Sequence, residues 1–198
     1  KLLRSWGRSS SLFDEKSEAI ENRFNINLDG IEYDAKFVFE TAGYNLEGSE
    51  IGAAFGLTQL KKLNDNIKTR QKNFKIQCDF FKKYIKYFNN PVETENINTA
   101  WLAFPLLIKK SAPFTRKELQ IYLEKRDIQT RVVFTGNILR QPMMKKQKFK
   151  TSNDGFINSD AVMERGMLLP LHHGLTSSMI LRLHETIDQF IYEFENEQ

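Results

Sequence analysis

Apolar side chains recur at three- and four-residue steps from Ile67 through Phe74, Cys78, Phe81 and Ile85 to Phe88, with Pro91 following as a stop. That is the period of one buried helix face, and it predicts a long amphipathic helix over 64–89. Just upstream, Ile51, Ala54, Phe55, Leu57, Leu60 and Leu63 repeat the same spacing behind Ser49, a residue suited to an N-cap, so helix is expected from Glu50. Gly52, Ala53, Ala54 and Gly56 leave one side of that segment small enough for another backbone to come close.

The rest of the pattern is shorter-ranged. Residues 1–8 read as the end of a helix stopped at Gly7, and 9–30 as a polar, turn-rich stretch punctuated by Asn22, Asn25, Asn27 and Asp29-Gly30. Irregular stretches of that length are more often functional than idle. A short strand is expected at 37–39. Strands are expected again at 100–108, where Pro105 suggests an edge or a bulge, at 128–134 and at 167–171. Helices are expected from Thr115, with Glu118 completing a capping box, to about Arg126, from about Asn158, and over 176–194. The second half therefore alternates strand and helix, the signature of an α/β layer arrangement.

The chain has 198 residues, room for one good-sized domain or two small ones. Its single cysteine, Cys78, excludes an intramolecular disulfide and any cysteine-based cluster within this chain. No apolar run is long enough to span a membrane, and Lys1-Leu2-Leu3-Arg4 carries no signal-peptide pattern, so a cytoplasmic protein is expected. The net charge of +4 is uneven. Nine Lys and Arg residues fall between Lys61 and Tyr87 against Asp65 and Asp79, yet that stretch also carries the apolar stripe. A solvated helix face explains it better than a nucleic-acid surface. The histidines are His172, His173 and His184. Neighbouring residues on a strand point to opposite faces, so His172 and His173 make a poor metal pair, and no metal site is expected.

No self-contained catalytic motif stands out: there is no Gly-x-Ser-x-Gly, phosphate loop, Gly-x-Gly-x-x-Gly or His-Glu-x-x-His. An ordered string of short motifs says more. Tyr33-Asp34-x-Lys36-Phe37, Gly43-Tyr44-Asn45-Leu46 and Glu50-Ile51-x-Ala53-Ala54-x-Gly56-Leu57-x-Gln59-Leu60-x-x-Leu63 come first. Gly136-Asn137-Ile138-x-Arg140-Gln141-Pro142 and Leu169-Pro170-Leu171-His172-x-Gly174-Leu175-Thr176 follow in register. Together they resemble the DegT/DnrJ/EryC1/StrS sugar aminotransferase family.

The resemblance implies an α/β protein, the carboxyl-terminal part of a fold-type I transferase that uses pyridoxal 5′-phosphate (PLP) on nucleotide-linked keto sugars in cell-surface polysaccharide biosynthesis. Residues 1–63 would be the trailing part of the large cofactor domain, with its dimer-contact helix, and 64–198 a small α/β domain with a short antiparallel sheet. The residues that anchor PLP in the family lie upstream of the segment matching Arg4-x-Trp6-Gly7-Arg8, so this chain alone is expected to be inactive, with no catalytic residue of its own. Asn45 corresponds to the family Asn that reaches the PLP phosphate of a neighbouring subunit, and Tyr44 to a residue lining that pocket, which implies a homodimer. A plainer role for Asn45 is to hold the turn between strand and helix. Many relatives carry a basic, substrate-facing residue two positions after that Asn, where this chain has Glu47.

Arg4-x-Trp6-Gly7-Arg8 followed by Arg23-Phe24 is similar to the 3-dehydratase branch, with Ser9, Ser10 and Ser11 where its iron–sulfur members carry cysteines. Arg8, Arg140 and His172 are the candidate substrate contacts, set against plainer roles in fixing loops. Three functions follow. The first is transamination, moving an amino group from an amino-acid donor to a nucleotide-linked keto sugar. The second is PLP- or PMP-dependent 3-dehydration, favoured over the first by a His in place of the cofactor Lys. The third is a non-catalytic α/β interaction domain.

Overall fold

The computed structural model describes residues 1–12, 26–151 and 155–196. The chain divides into two units, Lys1–Lys61 and Lys62–Gln198, and the division falls inside one long helix.

In the first unit, strands β1 (Ile26–Leu28) and β2 (Ile31–Tyr33) pair as an antiparallel hairpin, Leu28 opposite Ile31. The Asp29-Gly30 dipeptide closes it with both residues at positive φ, 52° and 93°, the conformation a two-residue hairpin turn demands. The first strand and the turn of this hairpin lie in the 9–30 stretch read from sequence as irregular, and the second strand follows it. The sequence signal for it was present in the Asp-Gly pair, but three-residue strands are too short to show alternation.

The expected helix end at 1–8 is a single 3-10 turn, Leu2–Arg4. The Leu3 and Arg4 carbonyls, which a helix would use internally, instead accept the N–H groups of Tyr44 (2.7 Å) and Leu46 (2.8 Å). Trp6 and Gly7 then turn the chain with φ of 56° and 82°. Gly43 crosses here so closely that a Cβ on it would stand 2.3 Å from the Gly7 nitrogen. The expected strand at 37–39 is also absent. The Asp34 carboxylate accepts the Lys36 N–H at 2.9 Å and starts a 3-10 turn, Ala35–Phe37, leaving one bridge between Arg8 and Phe39.

Helix α1 (Glu50–Phe81) is continuous through the point where two helices were expected. Ser49 begins it as anticipated: its carbonyl accepts the Ala53 N–H at 2.9 Å and its Oγ lies 3.4 Å from the Gly52 nitrogen. α1 stops eight residues short of the expected end. A 3-10 turn, Lys82–Tyr84, follows, and then β3 (Phe88–Asn89), where Phe88 pairs with Ile108. The periodic apolar position at Phe88 thus belongs to a strand, because the buried sheet face competes for it.

The second unit is built on a four-stranded antiparallel sheet of order β3-β4-β6-β5, with β4 at Phe104–Ile108, β5 at Arg131–Val132 and β6 at Gly166–Leu169. β4 is central, yet β3 pairs only with Leu107 and Ile108, so Pro105 opposes Leu168 on one side with no β3 residue opposite on the other. That is how a proline sits in an inner strand. β5 is shorter than expected because Asp127 and Phe134 take positive φ on either side of it.

Helices α2 (Arg116–Glu124), α3 (Ile157–Arg165) and α4 (Ser177–Asn196) complete the unit. Thr115 and Glu118 make the full capping box. β4 points Phe104, Leu106 and Ile108 inward, and α4 adds Ile180, Leu183, Ile187, Phe190 and Ile191 at helical spacing. Phe74, Phe81 and Phe88 join them, with Phe81 stacked on Phe104 and edge-on to Phe88. Each such ring contributes roughly 1.5–3 kcal/mol by leaving water. The carboxylates along α4 are hydrogen-bonded by phenols, Tyr84 donating to Asp188, Tyr122 to Glu193 and Tyr87 to Glu195, and Lys83 and Lys86 supply counter-charges to Asp188 and Glu195. Burial and the bond to Asp188 raise the Tyr84 phenol, as burial and the bond to Glu193 push Tyr122 up to about 12.

Candidate functional site

In the first unit the 6–11 loop and the 36–45 segment run against each other. Trp6 N–H donates to the Tyr44 carbonyl at 2.9 Å and Ser5 bridges Asn45, so Asn45 is fixed by its main chain while its exposed amide makes no hydrogen bond among the described residues. Beside it the Tyr44 ring is 67% exposed. Arg4 Nε pairs with Glu47 at 3.2 Å, so the carboxylate two residues after Asn45 has its counter-charge within the unit. Both partners are largely exposed and the pair is worth at most about 1 kcal/mol.

Arg8 is enclosed by rings: its guanidinium carbon lies 5.1 Å from the centre of Trp6, 5.6 Å from Phe37 and 5.7 Å from Phe39. Its Nε is buried without a partner among the described residues, an open donor that an oxygen ligand would satisfy. The hydroxyls of Ser9, Ser10 and Ser11 donate to the carbonyls of Val38, Lys36 and Arg8. They knit the loop together. Arg23-Phe24, part of the same motif, lies outside the described residues.

In the second unit Arg140 forms a two-point pair with Asp160, to which Asn137 also donates at 2.8 Å. The Arg140 bonds, then that of Asn137, hold the Asp160 carboxyl at about 2. The Arg140 charge is thus already matched within the unit. His172 lies beyond the end of β6, and its Nδ1 accepts the Gly174 N–H at 3.1 Å. It lines an open cleft of about 780 Å³ with Ala103, Thr130, Leu168, Met179 and Leu183. No group of three His, Cys, Asp or Glu stands close enough to hold a metal ion among the described residues. Cys78 is half-buried, and that burial pushes its thiol up to about 11, away from the reactive thiolate form.

Sequence reading missed Asn73, Gln77 and His184, which contact the 170–172 segment or one another. The signal was two polar residues four apart, flanking Phe74 and Phe81 on the face that should be apolar.

The DegT/DnrJ/EryC1/StrS aminotransferase family pattern matches residues 12–188. The chain belongs to this family. It is 31% identical over 191 residues to dTDP-4-dehydro-2,6-dideoxy-D-glucose 3-dehydratase of Saccharopolyspora spinosa, covering 96% of this chain and 41% of that one. It is 28% identical over 195 residues to the lipopolysaccharide biosynthesis protein RfbH of Salmonella typhimurium, covering 98% and 43%. Among solved structures it matches E. coli GDP-4-keto-6-deoxy-D-mannose-3-dehydratase with bound hydrated PLP at a TM-score of 0.71 and 28% identity, over 93% of this chain and 45% of that one. The chain spans about two fifths of the length of these curated relatives. The fold expected from its motifs, α/β with a short antiparallel sheet, is the fold observed.

Proposed function

We propose that this chain is the carboxyl-terminal portion of a PLP-dependent enzyme acting on nucleotide-linked 4-keto sugars in polysaccharide biosynthesis, and that the reaction is 3-dehydration. The observation that carries this reading is the likeness, across nearly the whole chain, to two proteins named as sugar 3-dehydratases. Sugar transamination, with an amino-acid donor, is the second reading and is supported by the family itself. Residues 1–63 act as the end of the cofactor domain and 64–198 as the small domain.

The cofactor fits what is exposed here in one respect: the Asn45 amide, held by its main chain and unengaged, is a neutral donor suited to a phosphate oxygen. Tyr44 lines the same place. When bound, PLP supplies an electron sink for breaking bonds next to a carbonyl or amine carbon. This chain's part is to hold the phosphate through Asn45 and to orient the sugar nucleotide through Arg8, Arg140 and His172. For Arg140 that requires a ligand to share the guanidinium with Asp160.

Asn45 serves a neighbouring subunit, so the working form is a homodimer. The exposed α1 side chains Ile51, Phe55 and Leu60 support an interface there. No helix among the described residues is long and apolar enough to cross a membrane, in keeping with a cytoplasmic site of action.

The test is the chain joined to the coding sequence that precedes Lys1, supplied with PLP, glutamate and a GDP- or dTDP-linked 4-keto-6-deoxyhexose, with the sugar followed by NMR. Loss of the C3 oxygen supports dehydration, and a new amino group on the sugar supports the second reading. An unaltered sugar and no retained PLP would overturn both. The 198-residue chain alone should leave the sugar unchanged.

A further inference from the structure

Two buried amides stand on the core-facing side of α1. Asn73 is 4% exposed and Gln77 is 0% exposed, among phenylalanines. A carboxamide in such a place is costly unless its bonds are made, and both are aimed at one short segment. Asn73 Nδ2 donates to the His172 carbonyl at 3.3 Å, and Gln77 Nε2 donates to the Pro170 carbonyl at 3.4 Å. The Pro170 carbonyl can only accept, so the orientation of the Gln77 amide is set by chemistry: reversing it would turn oxygen against oxygen. Gln77 Oε1 must then accept in turn, and the atom 3.0 Å away is His184 Nε2. His184 is therefore the Nε2–H tautomer. Its ring is stacked on Phe80 with centroids 3.8 Å apart and planes within 8°. Burial lowers its pKa to about 4, so at neutral pH it stays uncharged and remains a single-proton donor.

The second end of the chain of bonds is His172 itself. The Leu175 N–H donates to its carbonyl at 3.2 Å and the Gly174 N–H to its Nδ1 at 3.1 Å. In the neutral ring the proton consequently sits on Nε2. A Cβ on Gly174 would stand 3.1 Å from that Nδ1, so the absence of a side chain at 174 is part of the fit.

We infer that Asn73, Gln77 and His184 are positioning residues that fix the 170–174 segment so that His172 presents a hydrogen-bond donor, Nε2–H, to the cleft. A donor fixed in this way selects an acceptor oxygen on the ligand. The inference rests on the proposal that His172 faces a ligand, but its test needs no ligand. Failure of the test would leave the reading of the enzyme standing, and failure of the enzyme reading would leave the test result unchanged.

The experiment is side-chain ¹⁵N and amide-exchange NMR on the 198-residue chain. In the unaltered protein His184 should show a bare Nδ1 and a protonated Nε2, which requires no variant to fold. Gln77→Met deletes both the donor to Pro170 and the acceptor for His184. It should speed exchange of the Gly174 and Leu175 amides by about tenfold, the scale of one lost hydrogen bond, with a smaller change in the β4–β6 ladder, and it should release the His184 tautomer. A protonated Nδ1 on His184 in the unaltered chain overturns the inference. So does a Gly174 amide that is unmoved by Gln77→Met, or moved only in step with the ladder.

Discussion

Phe81 and Phe55 lie seven turns of sequence apart on one helix and have opposite environments: Phe81 is 0% exposed in the second unit, and Phe55 is 67% exposed in the first. The contrast extends to the units themselves. Residues 62–198 contain a continuous core in which aromatic rings meet edge to face and three of the four strands of the sheet, β3, β4 and β6, contribute buried residues. Residues 1–61 hold their shape through main-chain bonds between the 3–9 and 38–46 segments and through rings around Arg8, while Phe37, Phe39, Tyr44 and Leu46 face outward. A surface so apolar, on a unit whose order comes from its backbone, is what the edge of a larger body or an interface looks like. The difference teaches that the candidate site residues of the first unit stand on an exposed surface held by main-chain bonds, whereas the His172 segment rests on a packed core.

The sharpest way to break this contrast is to remove one ring from each unit. Phe81→Ala should destabilise the second unit by roughly 3–5 kcal/mol in urea unfolding, read from Trp101 in a Trp6→Phe background. Phe55→Ala should change the same midpoint by less than about 0.5 kcal/mol. Equal effects would erase the distinction. Gly43→Ala comes next, because its Cβ would stand 2.3 Å from the Gly7 nitrogen. It should cost the first unit roughly 1–3 kcal/mol, seen as faster exchange of the Tyr44 and Leu46 amides with the β4–β6 ladder unaffected. Thr115→Ala, which deletes the cap of α2, should cost about 1 kcal/mol and act on the second unit alone.

Acid sharpens the comparison further. His184 titrates at about 4 when folded, against an ordinary value of 6.5, so the unfolded chain binds more protons between those limits. The stability it contributes is complete above pH 6.5 and is lost as the pH falls towards 4. Asp160, held at about 2 against 3.8, keeps its contribution until the pH drops below about 4 and loses it towards 2. His184→Phe should therefore flatten the pH dependence of the second unit's unfolding between 6.5 and 4, and Asp160→Asn should leave that window unchanged.

Much of this architecture was legible in the residues. Thr115 and Glu118 announced their helix, and the apolar stripe through Phe74 and Phe81 announced another, because local bonds and one-sided burial write themselves into short-range spacing. Three kinds of feature did not. Phe88 fits the helical period but lies on a strand, since its partner Ile108 is far off in sequence. The β1–β2 hairpin and the bridge between Arg8 and Phe39 are too short to set a pattern. The Asn73–Gln77–His184 chain of bonds depends on a carbonyl at Pro170, which no side-chain pattern reports. The order of short motifs conveyed the family, while the engagement of Arg140 by Asp160 and of Glu47 by Arg4 joins residues 20 and 43 positions apart, which no local pattern reports.

The most direct test of the account is cofactor retention by the chain joined to its preceding sequence, with Asn45 intact and as Asn45→Ala. The account predicts that the intact protein keeps PLP through dialysis, and that Asn45→Ala folds with the same midpoint but binds PLP about tenfold more weakly, the loss of one phosphate hydrogen bond. An unchanged PLP Kd in Asn45→Ala would contradict it.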